Sequence, residues 1–121
     1  MKVILLEDDP LIQVCTEDAL VDAGFAVLST NAGEEACKLL AANPDVAAMM
    51  VDVRLAGGLN GWEIAKRVRA SRPDMAIVYT TTALGPEYAE NGVDRSVLLQ
   101  KPYTLDRAVD SVRDALNKVT V

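Results

Sequence analysis

Residues 4–10 read ILLEDDP: an apolar run stops in three consecutive carboxylates, Glu7, Asp8 and Asp9, followed by Pro10. The apolar part has the length of a buried strand, and the carboxylates stand where that strand ends. Two carboxylates about 4 Å apart repel by about 4 kcal/mol at an effective dielectric near 20, a large share of a small domain's stability. Such a strand end requires a positive centre supplied from elsewhere. Asp9 has a structural reading of its own, because an Asp directly before Pro is a helix N-cap with proline in the first turn. A strand therefore passes through a carboxylate cluster into a helix, which makes one βα unit.

The unit recurs along the chain. Residues 2–6, 25–29, 46–51, 75–80 and 96–100 are apolar runs with little polar alternation, the pattern of parallel strands covered on both faces. Helix-period stretches separate them. In 105–119, Leu105, Ala108, Val109, Val112, Leu116 and Val119 recur at steps of three and four, which predicts a stripe facing the core. Gly24 suits the end of the first helix, and Pro44 and Pro73 follow the next two. The expected fold is α/β, a five-stranded parallel sheet, doubly wound in (βα)5 order, with residues 1–121 forming a single domain. Cys15 and Cys37 lack CxxC or Cys/His spacing and fall on the expected inner faces of helices, which reads as buried free thiols.

Composition narrows the function. Half of the 121 residues are apolar, enough to bury a real core. A net charge of −6, from 12 basic and 18 acidic residues, argues against direct nucleic-acid binding or an anionic membrane surface. No signal-peptide pattern and no apolar stretch approaching the ~20 residues of a membrane span occurs, so a cytoplasmic location is expected.

In doubly wound sheets, ligands sit beyond the carboxyl ends of the strands where the strand order reverses. The first strand ends in Glu7-Asp8, the third in Asp52, the fourth in Thr80-Thr81-Thr82 and the fifth in Lys101-Pro102. The rule gathers all four on one rim. An all-oxygen set of Glu7, Asp8 and Asp52 suits a hard divalent cation, with Mg²⁺ favoured, and Lys101 adds a second positive centre.

In that order and spacing, the four strand ends resemble the response-regulator receiver domains of two-component signalling, whose fold is flavodoxin-like, over essentially the whole chain. The resemblance implies that Asp52 accepts a phosphoryl group from the phosphohistidine of a histidine kinase or histidine phosphotransfer protein. It also implies that Glu7, Asp8 and Asp52, with the backbone carbonyl of Arg54, hold Mg²⁺. By the same likeness the Thr81 hydroxyl, with Thr82 as the alternative, turns toward the phosphoryl group, Lys101 pairs with it, and the Lys101–Pro102 peptide is cis. Such a protein is a phosphoacceptor with possible autodephosphorylation, not a turnover enzyme. It signals through contacts with a downstream protein, which the sequence does not name, or relays the phosphate.

The chain departs from the family pattern in three places. The loop VDVRLAGGLNGWE (51–63) has Ala56 where proline is common, and Gly61 stands nine positions after Asp52 where eight is usual, with Gly57-Gly58 absorbing the extra residue. Leu98 replaces the aromatic residue three positions before the lysine. Three other readings compete. A flavin-binding protein of this fold is disfavoured because EDDP repels a phosphate. An aspartyl-phosphate phosphatase usually has a second Asp where Arg54 stands. A receiver-like interaction module that is not phosphorylated is the main alternative. Two further expectations concern movement and docking: Gly85-Pro86 and Gly92 limit any helix in 83–95 to about two turns, making that segment the switching element, and Pro10, Leu11 and Val14 present an apolar helix start to a phosphohistidine donor.

Overall fold

Asp9 caps the first helix as the sequence predicts: its Oδ1 accepts hydrogen bonds from the amides of Leu11 (2.9 Å) and Ile12 (3.2 Å), and Pro10 opens the helix. The structure, a computed structural model, describes residues 1–55, 60–82 and 85–120. Among the described residues five strands, β1 (Lys2–Leu6), β2 (Ala26–Thr30), β3 (Val46–Asp52), β4 (Ala76–Thr81) and β5 (Val97–Gln100), alternate with five helices, α1 (Pro10–Asp22), α2 (Gly33–Ala42), α3 (Gly61–Ser71), α4 (Gly85–Asn91) and α5 (Leu105–Val119). All pairings are parallel, and the order β2-β1-β3-β4-β5 reverses between β1 and β3. That reversal places the ends of β1 and β3 side by side.

Alternation along the strands divides the core in two. Ile4, Leu6, Met49, Val51, Ile77 and Tyr79 face Ala36 and Leu40 of α2 and Ile64 and Val68 of α3. Val3, Leu5, Met50, Val78 and Leu99 face Leu20 of α1 and Ala108, Val112 and Ala115 of α5. Central strands β1, β3 and β4 are almost wholly buried, as their uniform apolar runs require. Edge strands β2 and β5 correct the expectation of full cover: Ala26 and Gln100 are exposed, and most of their neighbours are half-buried. Gly24 adopts φ +100° just past α1, a left-handed conformation that glycine accepts without a Cβ penalty.

Three side-chain placements differ from the sequence reading, two through helix phase and one through its position at a helix end. The buried line of α1 runs through Thr16 and Leu20, and that of α2 through Ala36 and Leu40. Cys15 precedes the first line by one residue and Cys37 follows the second, a rotation of about 100° in each case. Cys15 is therefore exposed and Cys37 only half-buried, not core thiols. Leu105, at the mouth of α5, is 42% exposed, and the inner line of that helix is Ala108, Ser111, Val112, Ala115 and Val119. Among the described residues no helix is long and apolar enough to cross a membrane.

The helix between β4 and β5 has seven residues, in line with the glycines that flank it. Ala83 and Leu84, which open the proposed switching segment, lie outside the described residues, as do Ala56 and the Gly57-Gly58 pair.

Candidate functional site

Glu7 continues the sheet one residue beyond β1, its amide donating to the Thr30 carbonyl (3.1 Å). Its side chain turns inward and is 2% exposed. One oxygen, Oε2, accepts from the Asp9 amide (3.0 Å), so the turn that caps α1 also fixes the carboxylate. Gln13, one turn into α1, donates through Nε2 to the Glu7 carbonyl (3.1 Å). Asp52 closes β3 beside it, also buried, and its Oδ1 accepts from the Arg54 amide (3.1 Å).

Lys101 spans the two carboxylates. Its amide donates to the Thr81 carbonyl (2.8 Å), locking the exit of β5 onto β4, and the peptide to Pro102 is cis. From there its Nζ reaches Asp52 Oδ2 at 3.2 Å and Glu7 Oε1 at 2.7 Å, the second an ion pair without an aligned hydrogen bond. Thr81 is buried at the end of β4, whereas Thr82, the alternative hydroxyl, is exposed. All the strand-end residues named from the sequence thus meet on one rim.

The charges on that rim do not balance among themselves. One carboxylate oxygen from each of Glu7, Asp8 and Asp52 lies within 4.8 Å of the others, against a single ammonium. Asp8 Oδ1 is buried and accepts no hydrogen bond. A buried carboxylate oxygen left in that state is costly. Oxygen-only donors around an unpaired buried oxygen fit a hard divalent cation. Burial, then the neighbouring Glu7 carboxylate, push the Asp52 pKa from the ordinary 3.8 up to about 6, with Lys101 opposing. Burial pulls the Lys101 ammonium down, but Glu7 and Asp52 outweigh it and hold it above its usual value.

These shifts give a stability profile for the metal-free protein. Asp52 binds its proton more tightly folded than unfolded, so the stabilisation it confers is full below its unfolded pKa and is lost as pH rises through about 6. In chelator, the melting temperature should fall over that interval. Millimolar Mg²⁺ at neutral pH should restore on the order of 1–3 kcal/mol by binding the folded state alone. Paired melts with chelator and with Mg²⁺ check this, and identical curves at neutral pH would leave the carboxylate cluster without its cation.

Several contacts at the site carried no sequence signal. Gln13 is an ordinary polar residue within α1, and the Arg54 amide that bonds to Asp52 is a group every non-proline residue has. Thr16 and Tyr103 share a hydroxyl hydrogen bond (2.9 Å) that ties α1 to the β5–α5 turn. Beside Lys101, an apolar cleft of about 380 Å³ opens between Leu11, Ile12, Cys15, Tyr103 and Leu105. Leu11 is 73% exposed and Val14 55% exposed, so neither belongs to the core.

Comparison with known proteins follows the same lines. The family described as "Response regulator receiver domain" matches residues 3–113. A "Chemotaxis protein CheY homolog" of Campylobacter jejuni is 29% identical over 121 residues, spanning 96% of this chain and 92% of that protein. The crystal structure of a response regulator receiver protein from Sinorhizobium medicae superposes with a TM-score of 0.89 at 30% identity, over 97% of this chain and 94% of that one. Vibrio cholerae chemotaxis protein CheY4 gives a TM-score of 0.86 at 25% identity, over 95% and 98% of the two chains. With its sheet order and strand-end residues, and a family match over nearly its whole length, this chain belongs to the response regulator receiver domain family.

Proposed function

We propose that this chain acts as a receiver domain that takes a phosphoryl group on Asp52 from a histidine kinase or histidine phosphotransfer protein, in a Mg²⁺-dependent reaction. The observation that carries this reading is the Lys101 ammonium bridging Glu7 and Asp52 beside an acidic cluster with an unpaired buried oxygen. In the transfer, an Asp52 carboxylate oxygen attacks phosphorus in line, and the P–N bond of the phosphohistidine breaks. The bonding pair returns to the imidazole nitrogen, and an aspartyl phosphate remains. Glu7, Asp8 and Asp52, with the Arg54 carbonyl, would hold Mg²⁺, which would supply the charge shielding that lets an anionic nucleophile approach an anionic group. Lys101 leaves its pair with Asp52 Oδ2 to meet the phosphoryl oxygens, while the Arg54 amide orients Oδ1. Thr81, buried at the adjoining strand end, provides the hydroxyl that follows the phosphoryl group, with Thr82 the less enclosed alternative.

The protein consumes one phosphoryl group per event and loses it by hydrolysis or relay, so it acts as a switch or carrier and not as a turnover enzyme. Phosphate uptake from acetyl phosphate tests the reading: labelling in Mg²⁺, none in chelator, and strong impairment in Lys101→Ala with the fold intact. Labelling that ignores both changes would refute it.

The donor docks on the exposed start of α1, where Leu11 and Val14 stand beside the acidic rim. Val14→Glu should therefore slow transfer from a phosphohistidine protein about tenfold or more, since a charge in a small apolar contact costs on the order of 1–3 kcal/mol. Uptake from acetyl phosphate should stay at the wild-type rate. Equal losses from both donors would mean that Val14 serves the fold or the chemistry instead.

A further inference from the structure

We propose that a cluster of three rings, Trp62, Tyr79 and Tyr88, carries the state of the Asp52 site to α4. The proposal rests on the reading of Asp52 as the phosphoacceptor. α4 is held to the core by one side chain. Among its described side chains Pro86, Glu87, Ala89 and Glu90 are exposed, and Asn91 bonds back to the Glu87 carbonyl (3.0 Å). Tyr88 alone packs against the core. A seven-residue helix is marginal by itself, so its position follows the seat of that one ring.

The half-buried ring is held at several points. The Tyr88 hydroxyl bonds to the Ser96 carbonyl (3.0 Å) and pairs with its Oγ (2.9 Å) at the start of β5. A Cβ on Gly92 would lie 2.6 Å from the ring, so glycine is required beneath it. Tyr79 stacks edge-on at 5.9 Å, and its own hydroxyl accepts from the Val93 amide (3.0 Å) just beyond α4. Trp62 completes the cluster, 4.6 Å from Tyr79 and 6.4 Å from Tyr88 between ring centres.

Trp62 is joined to the acceptor strand through its neighbour. It follows Gly61, the first residue of α3, which packs so tightly on β3 that a Cβ there would sit 2.5 Å from the Asp52 carbonyl oxygen. The Gly61 amide donates to the Val53 carbonyl (2.8 Å). A movement of the Asp52–Val53 peptide therefore bears on α3 at Gly61 through this close approach and hydrogen bond, and Trp62 is the next side chain. Tyr79 adds a second line, because it lies in β4 two residues before Thr81. Both lines end on Tyr88. A longer contact runs outside them, an exposed ion pair of Arg54 with Glu87 at 3.9 Å, which solvent weakens.

The test uses the full chain with Mg²⁺ and beryllofluoride as the probe of Asp52. Fluorine NMR reports occupancy, hydrogen exchange reports α4, and Trp62, the single tryptophan, reports the cluster by its emission. On occupancy, Trp62 emission should change and exchange in 87–93 should slow about tenfold, a typical coupling between sites. Tyr88→Phe, which keeps the ring, should retain the response. Tyr88→Leu keeps an apolar anchor for the helix but loses the ring. It should bind beryllofluoride and protect 53–55 as the wild type does, while α4 no longer responds. Trp62→Leu, which changes no residue of α4, should lose the α4 response in the same way. Full α4 protection in Tyr88→Leu, or an unchanged α4 and Trp62 emission in a wild type whose fluorine spectrum shows occupancy, overturns the coupling. An absent fluorine signal, or one that persists in Asp52→Asn, instead overturns the reading of Asp52 and the coupling with it.

Discussion

Asp52→Asn should abolish phosphate uptake from both acetyl phosphate and a phosphohistidine donor, a loss of roughly 10⁴-fold or more, as when a covalent nucleophile is removed. The amide has nearly the shape of the carboxylate, so the fold should survive. It should in fact gain stability. Burial and Glu7 hold the Asp52 pKa at about 6, which means that its charge opposes folding at neutral pH in the absence of metal. Removing that charge should stabilise the metal-free protein by on the order of 2 kcal/mol, and the pH dependence of its melting between about 4 and 6 should flatten. Phosphate labelling and melts in chelator read the two effects on one variant. Labelling at the wild-type rate would move the acceptor elsewhere, and a less stable variant would mean that Lys101 outweighs Glu7 in the metal-free site.

Gly61→Ala should be the most damaging single-methyl change near the site. The added Cβ meets the Asp52 carbonyl oxygen at 2.5 Å and the Val53 Cα at 2.7 Å, both backbone atoms that no rotamer change can move. Overpacking of this kind costs about 1–3 kcal/mol. Because the atoms displaced belong to the acceptor's own peptide, uptake from acetyl phosphate should also slow, by roughly 10- to 100-fold for a shift approaching 1 Å. Gly24→Ala provides the contrast. Its Cβ meets nothing within 4 Å, yet its φ of +100° strains any other residue, so it should cost about 1 kcal/mol and leave uptake unchanged. Uptake at the wild-type rate in Gly61→Ala would show that the acceptor peptide tolerates displacement.

The sheet was legible in the sequence because buried parallel strands are uniformly apolar and the breakers between them are unambiguous. Asp9-Pro10, Gly24, Pro44 and Pro73 mark ends that the structure reproduces within a residue or two. Helix phase was less legible. α1 carries apolar residues around much of its circumference, including Leu11, Ile12, Val14, Cys15, Leu20 and Val21, so periodicity alone does not select Thr16 and Leu20 as the inner line. Cys15 was misplaced for that reason. Tertiary contacts select that line: Leu20 packs in the core, and a hydrogen bond joins the hydroxyls of Thr16 and Tyr103, which is remote in sequence.

The rim residues were legible for a different reason. Polar residues at the ends of apolar strands stand out, and the order of a doubly wound sheet gathers those ends. How Lys101 divides itself between Glu7 and Asp52 was not legible, since it depends on where β5 lies against β4 and how its exit is held. The three rings left no mark either. Trp62, Tyr79 and Tyr88 lie on three separate elements, and only the folded chain makes them neighbours.

The most direct test maps the phosphoryl group itself. The wild-type protein, treated with acetyl phosphate and Mg²⁺, is reduced with borohydride, which converts an aspartyl phosphate to homoserine, and its peptides are sequenced by mass spectrometry. Homoserine at position 52, absent when Mg²⁺ is chelated, is the predicted result. Modification at Asp8 or Asp9, or none at any aspartate in the presence of Mg²⁺, would contradict the assignment of Asp52 as the phosphoacceptor.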